Sequence, residues 1–192
     1  MNRFLAPAAL AAAALLVPLA PAHAAAGISV DDPKGDVTIA APKPSKFRTL
    51  ARSADITEAT AVIGTGKAVL SVVLRDRIEE LQPSKGNNAI GVTWFVCAAG
   101  SEDPCDGTVL TANIADGADG EVSWQGTAEE MPDCPATVKA KGRLIVLKTA
   151  KSCVRLTDGV TLSASLLARY GDPGQGGALL ADDTAASDAG SL

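Results

Sequence analysis

The residue that enzymes use most often for proton transfer is almost absent from this 192-residue chain. Its single histidine, His23, lies in an N-terminal segment that we expect to be removed. A mature chain without histidine cannot carry a Ser-His-Asp or Cys-His triad, a histidine general base or a histidine-ligated zinc or copper site. Catalysis would then require carboxylate pairs, Lys/Ser variants or a metal ion held by oxygen ligands.

Aromatic residues and clustered positive charge are also scarce. Aromatics make up 3% of the chain, and its basic residues are spread singly along it. The formal net charge is −5, and without Arg3 it becomes −6. Binding to nucleic acid or to an anionic membrane requires clustered Lys and Arg, so we expect no nucleic-acid partner.

Long hydrophobic runs are limited to the first segment, MNRFLAPAALAAAALLVPLAPAHA. It starts with the positive Arg3, continues as an apolar stretch and ends with Ala22-His23-Ala24, the small–x–small pattern of secretory cleavage. Its prolines make it a poor membrane span. We predict a signal peptide over residues 1–24, with cleavage after Ala26 as the alternative. The mature protein should be secreted or periplasmic, without membrane insertion.

The mature chain contains an even number of cysteines, four in all. In an exported protein this count predicts disulfides, and four cysteines allow three pairings. Cys97–Cys105 and Cys134–Cys153 are favoured because each pair brackets a turn-rich segment between two strand-like runs. A zinc site is disfavoured because the spacings differ from known zinc patterns.

Short runs of alternating apolar and polar residues are separated by turn residues along most of the chain. Two such runs, 56–63 and 68–74, flank Gly64-Thr65-Gly66 and predict a β-hairpin. The whole pattern predicts an all-β antiparallel sandwich of about eight or nine strands, stabilised by two disulfides. We assign residues 25–172 to this domain and expect residues 173–192 to form a flexible Gly/Asp/Ala-rich tail, in which Ala178–Leu180 could pack against the sandwich.

The stretches DDPKGDV and ADITEATAVIGTGKAVLSVVLRD carry a resemblance to a known group of proteins. They resemble the opening of secreted bacterial β-sandwich proteins, similar in layout to family 9 carbohydrate-binding modules and DOMON domains. The resemblance covers mainly residues 28–76 and implies a sandwich that binds sugar or haem, in some members with structural calcium near the Asp turn. The chain departs from haem-binding members because it lacks mature histidine, and from sugar-binding members because it has few aromatics.

The acidic turn GISVDDPKGDVTIA is the first candidate site. Asp31, Asp32 and Asp36 surround Pro33 and Gly35, and Asp55 begins a later strand. An EF-hand register fails because its twelfth position falls on a lysine. Two interpretations stay open: a β-turn that needs no ion, and a calcium site formed by Asp32, Asp36 and Asp55.

Two tryptophans are the candidate ligand-binding residues. Trp124 and Trp94 could stack on a sugar ring, or both could be core anchors. The adjacent acids Glu79-Glu80 and Glu129-Glu130 are the paired carboxylates that a hydrolase would need.

The leading functional prediction is a non-catalytic binding or interaction domain outside the cell, with a glycan or a cell-surface protein as its partner. Carbohydrate is the ligand class that the resemblance implies. The alternatives are a structural or protein-partner module without a small ligand, and a carboxylate-dependent hydrolase. No cofactor is expected other than calcium.

Overall fold

The computed structural model describes residues 26–83, 88–100, 105–115, 118–155, 160–172, 175–184 and 187–189. The predicted signal peptide, residues 1–24, lies outside these ranges. Within them, no helix has both the length and the apolar character needed to cross a membrane.

Strands dominate the described residues, with one short α-helix and three 3-10 helices among them. In chain order these elements are β1 (Ala26–Asp31), β2 (Thr38–Ala40), a 3-10 helix (Pro44–Phe47), α1 (Arg48–Ala54), β3 (Ile56–Ile63), β4 (Lys67–Leu74), a 3-10 helix (Ile78–Leu81), β5 (Ala89–Ala98), β6 (Gly107–Ile114), β7 (Ala118–Gln125), β8 (Thr137–Lys141), β9 (Leu144–Ala150), a 3-10 helix (Lys151–Cys153), β10 (Val160–Tyr170), β11 (Ala178–Asp183) and β12 (Ser187–Ala189).

These strands form two antiparallel sheets that enclose one hydrophobic core. The first sheet has the order β1-β3-β4-β9-β8, and the second has the order β2-β11-β10-β5-β6-β7, with β12 also pairing with β10. The predicted fold class, an all-β sandwich, is confirmed. The described residues form three strands more than the nine predicted at most. β2 and β12 have only three residues each, too few for a period-2 pattern, and β11 lies in the segment that was expected to be a tail.

The predicted hairpin is present as β3 and β4, which pair from Ile63↔Ala68 to Ile56↔Leu74. Along β4 the alternate residues Ala68, Leu70, Val72 and Leu74 are fully buried, while the residues between them are half-buried. A period of two residues places successive side chains on opposite faces of a sheet, so the apolar half of the pattern lies in the core.

The segment 38–54 contains two prolines and lacks a regular period, a pattern that predicts a long loop, but the structure has β2, a 3-10 helix and α1 there. Helix α1 has seven residues and is short for an independent helix. Tertiary packing supports it: Phe47 is buried edge-on against Tyr170, with ring centroids 5.9 Å apart, and Ala54 is fully buried. The loop prediction was wrong because the two prolines indicate a loop, while the apolar positions that follow them are too few to show a helical period.

The expected boundary at residue 172 needs correction. Within the predicted tail, Ala178–Asp183 forms β11, which pairs with β10 on one side and with β2 on the other. Ala178 and Leu180 are fully buried, so this strand belongs to the sandwich. Its composition of Ala, Leu and Asp carries little β-propensity, and pairing on both edges stabilises it instead.

Both predicted disulfides are present. Cys97–Cys105 connects the end of β5 to the residues before β6, and Cys134–Cys153 joins the segment before β8 to the 3-10 helix after β9. Both bonds link segments outside the strands to the ends of neighbouring elements, and such covalent links stabilise a fold mainly by restricting the unfolded chain.

Candidate metal centre

The acidic turn follows β1 and places two carboxylates close together. The amide of Asp32 donates to the carbonyl of Thr57 over 3.2 Å, which ties the turn to β3. Gly35 has φ +94°, a conformation that favours glycine, so the predicted turn chemistry is confirmed at this position. Asp32 is buried, whereas Asp36 is exposed. The turn thus places the Asp32 carboxylate inside the protein and the Asp36 carboxylate at the surface.

A third carboxylate reaches this turn from the far end of the chain. Asp182 lies on β11, and one ligand oxygen each from Asp32, Asp36 and Asp182 lies within 4.8 Å of the others. Asp182 is only 4% exposed, and its Oδ2 accepts a hydrogen bond from the amide of Ile56. The three carboxylates come from opposite ends of the chain and lie close together. Carboxylate oxygen is the ligand type that calcium and magnesium prefer.

Burial and like charge shift the pKa of Asp182. It is raised to about 7, mainly by burial and also by the negative charges of Asp32, Asp36 and Asp55, while the hydrogen bond from the Ile56 amide lowers it. Without a cation, the group therefore holds a proton at a pH where ordinary aspartates are ionised. Three carboxylates that repel one another at short range are a site for positive charge.

Asp55 lies beside the cluster but faces a different partner. Its Oδ2 accepts a 3.2 Å hydrogen bond and ion pair from Nη1 of Arg75, and its backbone carbonyl accepts from the Arg75 amide. The side chain is 1% exposed, and its Oδ1 has no hydrogen-bond partner among the described residues. A buried carboxylate oxygen without a donor is unfavourable, so Oδ1 adds a second reason to expect a ligand nearby.

The predicted calcium set of Asp32, Asp36 and Asp55 is therefore only partly assembled. The structure brings Asp32 and Asp36 together, but the third member of the compact group is Asp182, and Asp55 pairs with Arg75 instead. Asp182 was missed because the tail was expected to be flexible. A usable signal was the alternation in ALLAD, where Ala178, Leu180 and Asp182 share one face of a strand.

Trp94 cannot act as a stacking platform, and that prediction is corrected. Its side chain is fully buried between the sheets, and its Nε1 donates over 3.3 Å to the carbonyl of Ser71 on β4. Trp94 lies on β5 of the opposite sheet, so this hydrogen bond spans the sandwich. A large ring with one polar atom suits this place because its apolar body fills the core while its N–H is satisfied.

Trp124 is half-buried and held on two sides. Its Nε1 donates to the carbonyl of Cys153 over 2.9 Å, and the Arg155 guanidinium lies 5.8 Å from the ring centroid. Arg155 is itself anchored to Asp106 by a 3.1 Å ion pair. These contacts make Trp124 part of the structure around the Cys134–Cys153 disulfide and leave less of its ring for a ligand.

The paired glutamates lie on the surface. The Glu79 carboxylate accepts a 2.9 Å hydrogen bond from the amide of Gly142, which is the main reason its pKa is lowered. Glu80, Glu129 and Glu130 are exposed. A general acid needs a raised pKa, so the shift at Glu79 has the wrong sign for that role.

Comparison with known proteins adds no assignment. No family model matches the chain, and no curated protein or solved structure matches it either.

Proposed function

We propose that the mature chain is an exported, non-catalytic binding domain that takes up a divalent cation, calcium by preference, at Asp32, Asp36 and Asp182. The observation that carries the proposal is the convergence of these three carboxylates to within 4.8 Å, two of them buried. Calcium accepts six to eight oxygen ligands in flexible geometry, and the three acids join a backbone turn to a strand.

A bound cation removes an unfavourable feature of the fold. Like charges held close together in a buried site repel one another and destabilise the fold unless a cation compensates them. Protonation of Asp182 relieves only part of the repulsion, because Asp32 and Asp36 remain. A divalent ion neutralises the group and links the N-terminal turn to the C-terminal strand β11. The low exposure of Asp32 and Asp182 favours an enclosed ion over a substrate.

Calcium should stabilise the purified mature protein, and Asp182→Asn should abolish the effect. With dissociation constants of about 0.1–1 mM, as in many extracellular sites, 10 mM calcium raises Tm by about 3–10 °C relative to EDTA. Differential scanning fluorimetry or calorimetry measures this shift.

The matched control is Asp119→Asn, an exposed acid on β7, the far edge of the second sheet from β11. This variant should respond to calcium like the wild type. Equal Tm values in calcium and EDTA for the wild-type protein would disprove the cation site.

Association with a second copy of the chain is a second candidate role, favoured by the outer face of the first sheet. One row across this face runs Asp31–Glu58–Val73–Leu144–Lys141. It is acidic at one edge, aliphatic in the middle and basic at the other edge. A second copy can pack face to face on this sheet about a two-fold axis parallel to the strands. This axis reverses the order of the row, so Lys141 lies opposite Asp31 of the second copy and the charges at the two edges are complementary.

Leu144→Asp should then weaken self-association measured by sedimentation equilibrium. Leu144 is 44% exposed on this face and lies beside the central Val73, opposite Glu58 of the second copy. A carboxylate introduced there would face another carboxylate and shift the dimer towards monomer by at least about tenfold. Leu167→Asp is the control, since Leu167 is 54% exposed on β10 of the other sheet. A wild-type protein that stays monomeric at about 0.5 mM, a concentration at which even weak interfaces associate, would contradict this role.

A further inference from the structure

A polar cavity beside the acidic turn is lined by more basic than acidic residues. It has a volume of about 320 Å³, and its walls include Arg48, Arg52 and Arg75, together with Gly35, Ala51 and Asp55. The three guanidiniums come from two segments: two lie on α1, and the third follows β4. The cavity is therefore a basic site on a chain whose overall charge is −5.

The spacing of the two helical arginines is informative. Arg48 and Arg52 are four residues apart on α1, so their side chains share one face of the helix, and like charges at this spacing repel each other. Between them, Ala51 contributes only a methyl group, which leaves space in the cavity wall. An arrangement that is unfavourable for the isolated helix becomes favourable when an anion lies between the two guanidiniums.

Part of the donor capacity of these arginines is not used by the ion pairs of the fold. Arg52 binds Asp76 through Nε at 2.8 Å and Nη2 at 3.3 Å, and Arg75 binds Asp55 through Nη1 at 3.2 Å. Arg48 has no ion-pair partner among the described residues. A guanidinium carries five N–H donors in a planar fork, so each of these arginines keeps N–H groups that the ion pairs do not use.

We propose that this cavity binds an oxyanion, namely the carboxylate, sulfate or phosphate group of a small ligand or an acidic saccharide. The planar fork of arginine matches two oxygens of such a group, and hydrogen bonds between charged partners are about twice as strong as neutral ones. Arg48 and Arg52 are the binding residues. Arg75, held by Asp55 and close to Gly35, forms the back of the site. The proposal is independent of the cation site.

The test is a ¹H–¹⁵N NMR titration of the mature protein with sodium sulfate, and separately with sodium acetate. Sodium chloride at equal ionic strength is the reference. Divalent cations are removed beforehand with a chelating resin, so that neither a cation nor a dissolved carboxylate chelator contributes. Saturable shifts are expected for the amides of Gly35 and Ala51 and for the Nε–H groups of Arg48 and Arg52. Tighter binding of sulfate indicates a tetrahedral ligand group, and tighter binding of acetate indicates a carboxylate.

Variants decide whether the arginines are responsible. Arg48→Gln and Arg52→Gln should each weaken sulfate binding about tenfold or more, because each removes charged hydrogen bonds. Arg77→Gln is the matched control: its side chain is 68% exposed, pairs with Glu79 and does not line the cavity. The same spectra show whether each variant is folded. Shifts that stay linear in sulfate, or binding that Arg48→Gln leaves unchanged, would overturn the proposal.

Discussion

Trp94→Ala should destabilise the protein by about 3–5 kcal/mol, the range found for large-to-small changes at buried aromatic positions. Trp94 is among the largest fully buried side chains and bridges the sheets through its hydrogen bond to Ser71. Its removal leaves a cavity at the centre of the sandwich and a carbonyl without its indole donor. Since domains of this size are stable by about 5–15 kcal/mol, the loss is a large fraction of the total. Urea unfolding followed by circular dichroism measures it.

Two further variants make the result specific. Trp94→Phe keeps an aromatic ring in the core and should lose clearly less stability than Trp94→Ala. Trp124→Ala should lose about 1–2 kcal/mol, since this ring is only half-buried. A Trp94→Ala loss below about 1 kcal/mol, with an unchanged dependence on urea, would mean that the ring does not support the core as described.

The stability of the cation-free protein should fall as the pH rises from about 4 to about 7, relative to Asp182→Asn. The pKa of Asp182 is about 7 in the folded protein, against 3.8 for an ordinary aspartate. Between these values the folded state keeps a proton that the unfolded state has released, so raising the pH favours unfolding. Above about pH 7 both states are ionised and the penalty is constant, at about 2–4 kcal/mol.

The difference between the two proteins is the useful quantity, because it cancels the titration of all other groups. Urea unfolding in EDTA at several pH values gives the free energy of unfolding of the wild type and of Asp182→Asn. The difference between the two should change from about pH 4 to about pH 7. The asparagine itself adds only an offset that is the same at every pH. A difference in free energy of unfolding that stays constant from pH 4 to pH 8 would contradict the raised pKa of Asp182.

Calcium should remove this pH dependence at the neutral end. A bound cation stabilises the ionised carboxylates and lowers their pKa, so the penalty that Asp182 contributes near pH 7 disappears. The same unfolding experiment in calcium connects the titration of Asp182 to the cation site.

Local features of the chain were predictable because they depend on neighbouring residues alone. The alternation of Ala68, Leu70, Val72 and Leu74 follows from the two-residue period of a strand, and the turn at Gly35 follows from the backbone freedom of glycine. The cysteine pairs were predictable as well, since each pair joins cysteines close in sequence: Cys97–Cys105 closes the loop between β5 and β6, and Cys134–Cys153 encloses β8 and β9.

The sites depend on contacts that no local pattern contains. Asp182 reaches the acidic turn because β11 pairs between β10 and β2, and its hydrogen bond to Ile56 joins residues 126 positions apart. Asp55 was expected at the cation but pairs with Arg75, and the burial of Trp94 depends on which face of β5 meets the opposite sheet. The sequence by itself determined an all-β chain with two disulfides and a sharp acidic turn. The tertiary structure decided which charges meet, because strand order and sheet packing set the distances between residues that are remote in the chain.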